Sequence, residues 1–122
     1  MKRLYFAFVL LFVSTISISQ STVDRKQVLE EMMLANQYFM DKWPDTGKTI
    51  ITNKELPSNI WTRAVYYEGL MALHEIYPKE EFYQYALGWA NSHEWGFRSG
   101  NTTRNADNYC AAQTYIDLYN LQ

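Results

Sequence analysis

The segment 105–119, NADNYCAAQTYIDLY, contains the residues best suited to chemistry in this chain of 122 residues. Asp107 lies where an apolar helix should begin, and the unpaired N–H groups and positive dipole at such a point favour an ionised carboxylate. Aspartate is also a common helix cap, and its position alone favours that structural role. The flanking Asn105 and Asn108 could orient the carboxylate, bind hydroxyl groups or cap the helix. The segment therefore predicts either a reactive carboxylate or an ordinary helix start.

A second segment, 57–73 with the sequence PSNIWTRAVYYEGLMAL, places an aromatic ring and a cation at the start of another apolar helix. If Trp61 is exposed, its indole can stack on a sugar ring, whereas a core position is the more ordinary role for tryptophan. Arg63 can bind a carboxylate through two parallel hydrogen bonds. The more ordinary role for Arg63 is an ion pair with Glu68 or another acid of its own chain.

Together and in this order, the two segments resemble the unsaturated glucuronyl and rhamnogalacturonyl hydrolases of glycoside hydrolase families 88 and 105. Those enzymes carry a similar Trp-Thr-x-Gly/Ala helix start and, later, a helix that opens with Asp-Asn and closes with Leu-Tyr. This chain has Ala64 and Ala112 where relatives often have glycine. Both are exchanges between small residues, so the expected fold is unchanged.

The resemblance implies roles for individual residues. Asp107 corresponds to one of a pair of active-site aspartates and is the predicted catalytic residue, while Trp61 corresponds to a tryptophan that contacts the sugar. The proton donor is expected to be the second aspartate, which relatives carry later in the chain than residue 122. We add Arg63 and Asn108 as candidate substrate-binding residues on their chemistry alone.

The resemblance also implies a reaction. These enzymes act on oligosaccharides left by polysaccharide lyases, which end in a uronate with a C4=C5 double bond. They protonate this vinyl ether and add water at C5, and the hemiketal formed then collapses and releases the unsaturated uronate. No cofactor is expected. No metal site is expected either, because His74 and His93 are lone histidines on separate predicted helices, without further ligands at a suitable spacing.

Two amphipathic helices are predicted by apolar residues that recur at helical spacing. They cover about 24–43 and 79–95, and each has a polar face. Residues 44–58 contain two prolines and a glycine and predict a loop, in which 49–52 could form a short extended piece.

Two further helices are apolar over most of their circumference, which is typical of helices buried on several sides. One is predicted to be capped by Ser58 or Asn59 and to end near Tyr77, and the other begins at Ala106. Amphipathic and mostly apolar helices thus alternate along the chain. This is the order expected if the amphipathic helices form an outer ring and the mostly apolar helices an inner ring. We predict an all-α fold of about four helices in hairpins, a partial (α/α)6 toroid as the resemblance implies, with an α-solenoid as the alternative.

A complete toroid of this type has about twelve helices. Residues 20–122 are therefore expected to be the amino-terminal third of a glycoside hydrolase domain, apparently truncated, and to be inactive by themselves.

The amino terminus has the layout of a secretory signal peptide. Lys2 and Arg3 precede the apolar run 4–13, and a Ser/Thr-rich stretch then leads to a cleavage site expected after Ser19. The apolar run is too short to predict a stable membrane span. We therefore predict a signal peptide at 1–19 and a periplasmic or secreted protein.

The charge of the chain limits which classes of partner are expected, and its cysteine content limits which disulfides are possible. Without residues 1–19 the chain keeps nine basic and thirteen acidic residues, a formal charge of −4, which argues against nucleic acid as a partner. Cys110 is the only cysteine, so an intramolecular disulfide is impossible. The expected partner is an oligosaccharide that contains an unsaturated uronate. Two alternatives stay open: a non-catalytic helical-repeat binding module, and another α/α-toroid sugar enzyme such as a mannosidase or an epimerase.

Overall fold

The computed structural model describes residues 23–122, so the predicted signal peptide lies outside the described residues. The described part is mostly helical, as predicted. Its elements are α1 (Arg25–Lys42), β1 (Ile50–Ile51), β2 (Glu55–Leu56), α2 (Trp61–Ile76), α3 (Glu80–Ser92) and α4 (Ala106–Asn120). The two strands form a small antiparallel hairpin, with Ile50 opposite Leu56, at the place where a short extended piece was predicted. Within residues 23–122, no helix is long and apolar enough to cross a membrane.

The start of α2 differs from the prediction. Its cap is Ile60, which makes no side-chain capping bond, and neither Ser58 nor Asn59 caps the helix. Both polar side chains are used in long-range contacts instead: the Ser58 hydroxyl donates to the Thr46 carbonyl, and the Asn59 amide donates to the Gly96 carbonyl at 3.0 Å. The predicted caps were wrong because tertiary partners compete for the same polar atoms.

The end of α3 also differs, since the helix stops at Ser92 and not near Trp95. Glu94 and Trp95 have φ angles of 51° and 56°, in the left-handed region, and the Trp95 N–H bonds back to the Ala90 carbonyl at 2.9 Å. Left-handed residues reverse the chain after a helix and satisfy its last carbonyl groups. The apolar pattern continues to Trp95 because its ring still packs against the core.

The core lies between α2, α3 and α4, with Trp89 at its centre. The Trp89 ring is fully buried, stacks on Tyr67 with 4.2 Å between ring centroids, and lies 5.4 Å from the Tyr115 ring. Helix α1 covers one side of this core with partly buried apolar side chains: Leu29, Met32, Met33 and Met40. The mostly apolar helices α2 and α4 make the most extensive helix contact.

Helices α2 and α4 run in the same direction. The middle and carboxyl-terminal part of α2 and the carboxyl-terminal part of α4 line one groove, to which α2 contributes Glu68 and Glu75 and α4 contributes Asp117 and Asn120. Glu68 is close enough to Asp117 for the two carboxylates to interact electrostatically. The amino-terminal turns of α2 and α4 therefore lie at the same end of the bundle. We call this end the mouth.

Candidate functional site

The parallel course of α2 and α4 places Trp61 and Asp107 at the mouth. Trp61 is the first residue of α2 and Asp107 the second residue of α4, so both lie in the first turns of their helices. Trp61 also lies on the same stripe of α2 as Glu68, because seven residues are close to two full turns. Glu68 lines the groove beside α4, whereas Trp61 is exposed.

Asp107 is the second residue of α4, and its side chain is exposed. The helix is capped by Asn105, whose side-chain oxygen accepts the Asp107 backbone N–H at 2.9 Å. The Asp107 carboxylate is therefore not the cap, and it forms no hydrogen bond or ion pair with any other residue in 23–122. The carboxylate is therefore available to contact a ligand.

Asn108 is buried, and its amide nitrogen donates to the Thr103 hydroxyl at 2.8 Å. The Tyr109 hydroxyl donates to the Thr103 carbonyl, so two consecutive residues of α4 hold the preceding loop. The structure thus gives Asn108 a positioning task. Its role in binding a sugar stays a prediction.

Trp61 is 45% exposed, and the buried core does not include it. Its indole N–H has no acceptor among the described residues. A half-exposed indole offers one apolar face and one hydrogen-bond donor, the combination that suits stacking on a sugar ring.

Arg63 lies apart from Trp61 and Asp107. Two residues turn a helix by 200°, so Arg63 projects from the side of α2 opposite Trp61. It is 9% exposed, with its guanidinium carbon 4.1 Å from the Trp43 ring centroid and 4.9 Å from the Phe39 ring centroid. Burial lowers the pKa of the Arg63 guanidinium. The ordinary ion pair with Glu68 is not formed in the described part of the chain, and one Glu68 oxygen is buried there without a hydrogen-bond partner.

Ser58 and His93 form a contact that the sequence did not suggest. The Ser58 oxygen lies 2.6 Å from His93 Nε2, a distance typical of a nucleophile and its base. However, the hydroxyl also lies 2.7 Å from the Thr46 carbonyl, which can only accept a hydrogen bond. The Ser58 hydroxyl therefore uses its single proton to donate to the Thr46 carbonyl. His93 Nε2 must then be the donor in its hydrogen bond with the Ser58 oxygen. Burial lowers the pKa of His93, so the donor is the neutral imidazole. The pair fixes the loop before α2 and does not activate a nucleophile.

No group of three or more His, Cys, Asp or Glu side chains within residues 23–122 could hold a metal ion. The mouth presents an exposed carboxylate and a half-exposed aromatic ring, groups that can bind a sugar and assist a proton transfer.

Residues 31–122, about three quarters of the chain, match the sequence model of the family described as Glycosyl Hydrolase Family 88. The chain belongs to glycoside hydrolase family 88. No curated protein and no solved structure matches it. Membership in family 88 confirms the resemblance drawn from the two motif segments, both of which fall inside the matched region. It also confirms the all-α, partial-toroid fold class, and it makes a carbohydrate the substrate class.

Proposed function

We propose that this chain forms part of an enzyme that removes unsaturated uronic acid from lyase-generated oligosaccharides by hydrating its vinyl ether. The observation that supports this proposal is the Asp107 carboxylate, which is exposed and does not serve as the helix cap, since Asn105 provides it. Trp61 lies at the same end of the bundle with nearly half of its surface exposed.

In this proposal Asp107 acts as an ionised carboxylate at the positive end of α4. It orients the water that adds to C5, or stabilises the positive charge that develops when the double bond is protonated. The proton comes from the second aspartate that relatives carry later in the chain. Trp61 stacks on the sugar ring, and Asn108 binds a hydroxyl group with its side-chain oxygen. No cofactor takes part.

We further propose that residues 1–19 direct export and that the protein acts in the periplasm or outside the cell. Export agrees with a carbohydrate substrate, since it would bring the enzyme to the place where lyases cleave the polysaccharides and release oligosaccharides. Comparing the mass of the secreted protein with that of the full sequence tests the cleavage after Ser19.

A chimera tests the catalytic role of Asp107. Residues 31–122 replace the matching segment of an active family 88 enzyme, and turnover is followed as loss of the ultraviolet absorbance of the unsaturated uronate. Asp107→Asn keeps the size of the side chain and the cap, so turnover should fall about 100-fold or more while stability is nearly unchanged. Asp117→Asn is the matched control, because it makes the same change on the same helix at the groove away from the mouth. Equal turnover in both variants would refute the catalytic role.

A further inference from the structure

A cavity of about 490 Å³ lies between the end of α1, the loop that follows it and β1. Its lining includes Lys42, Trp43, Asp45 and Lys48, and Arg63 reaches it from the first turn of α2. We call this cavity the basic pocket. Neither Trp61 nor Asp107 lines it, so it is separate from the exposed groups at the mouth.

The charge of the basic pocket opposes that of the whole chain. Three basic side chains and one acidic side chain give its lining a formal charge of +2, in a chain of formal charge −2. The single acid, Asp45, accepts the Gly47 N–H at 3.1 Å within its own turn. Lys42 and Arg63 both lie over the Trp43 ring, at 4.9 and 4.1 Å from its centroid. Ring contacts attract these cations but do not neutralise them.

Arg63 is the unpaired component of this arrangement. It is 9% exposed, yet its guanidinium has no carboxylate partner and no hydrogen-bond acceptor within residues 23–122. The first turn of α2 contains no acidic residue either. The guanidinium lines the pocket, where an anion could bind it without displacing a carboxylate partner. The planar fork of a guanidinium matches the two oxygens of a carboxylate.

We propose that the basic pocket binds the carboxylate of an acidic sugar. Its volume lies within the range of sites for small organic ligands and far exceeds the space that one inorganic anion needs. Pro44, Ile50 and Ile51 provide apolar walls for the C–H face of a sugar ring, and Thr49 adds a hydroxyl group. The pocket is thus a second sugar-binding site, apart from the exposed groups at the mouth. This inference rests on the carbohydrate substrates of the family and is independent of the vinyl-ether reaction.

Nuclear magnetic resonance of the 122-residue chain tests the proposal. The chain is titrated at constant ionic strength with D-galacturonate and, separately, with D-galactose, which lacks the carboxylate. The Trp43 indole N–H and the Arg63 Nε–H should shift to saturation with galacturonate and should not shift with galactose. Shifts confined to Trp61 would overturn the proposal, since they would place the sugar at the mouth only. Equally tight binding of sulfate would also overturn it, because the pocket would then select charge alone.

Variants assign the binding to this pocket. Lys48→Gln should weaken galacturonate binding about two- to fivefold, the effect of one exposed charge. Lys54→Gln is the matched control, because it makes the same change in the turn between β1 and β2, outside the pocket lining. Arg63→Lys keeps the charge but loses the fork, and should weaken binding about tenfold or more. If that variant does not fold, the two surface variants still decide: equal affinities for Lys48→Gln and Lys54→Gln would overturn the proposal.

Discussion

Replacement of Trp89 by phenylalanine tests how the core fixes the loop in front of α2. The Trp89 indole N–H donates to the Ser58 carbonyl at 3.1 Å, and both groups are buried. Phenylalanine keeps an aromatic ring in the core but cannot donate this hydrogen bond. The Ser58 carbonyl then stays buried without this partner, next to a space that the smaller ring does not fill.

The expected loss of stability is about 2–4 kcal/mol. An unsatisfied buried carbonyl costs about 1–3 kcal/mol. The missing part of the indole adds about 1 kcal/mol, as expected for removing a small part of a well-packed side chain. The first turn of α2 should also loosen, because the N–H groups of Arg63 and Ala64 both bond to the Ile60 carbonyl, two residues after Ser58.

Urea unfolding followed by circular dichroism measures the free energy, and hydrogen exchange of the Arg63 and Ala64 amides measures the local effect. Trp95→Phe is the matched control, since the Trp95 indole donates to the exposed side chain of Asn91, where water can replace it. We expect the control to lose less than about 1 kcal/mol. If Trp89→Phe loses no more than Trp95→Phe, the bond to Ser58 does not hold the loop, and the reasoning is refuted.

Three further predictions concern single groups. Asn105→Ala removes the cap of α4 and should cost about 1 kcal/mol in urea unfolding, and an unchanged midpoint would contradict the capping role. Burial and the nearby Asp117 raise the pKa of Glu68, so Glu68→Gln should stabilise the chain at pH 7 by a few tenths of a kcal/mol, a gain that should vanish as the pH falls below about 4.5. Burial lowers the pKa of His93, so on acidification the imidazole binds a proton at a higher pH in the unfolded chain than in the folded chain. The free energy of unfolding should therefore fall as the pH drops below about 6.5. This fall should be smaller in His93→Gln, and an identical pH profile would contradict the assignment.

The helices and the start of α4 could be predicted from the sequence because their signals are local. Apolar spacing defined α1, and Asn105 followed by Ala106 marked the beginning of α4. The family could also be predicted, since two motif segments occur in the expected order within the matched region 31–122.

The contacts between distant residues could not be predicted in the same way. Ser58 or Asn59 was expected to cap α2, but Ser58 bonds to His93, which is 35 residues away. Arg63 was a candidate for substrate binding, with an ion pair to an acid of its own chain as the ordinary alternative, and its neighbours in the structure are Phe39 and Trp43 at the end of α1. Both outcomes depend on how α1 and α3 lie against α2, which no local pattern contains.

The Gly96 carbonyl accepts hydrogen bonds from the Asn59 amide at 3.0 Å and from the Tyr115 hydroxyl at 3.1 Å. One backbone atom thus ties together the approach to α2, the chain leaving α3 and the body of α4. Because all three segments meet at this one acceptor, a shift of the chain at Gly96 should move the approach to α2 and the body of α4 together.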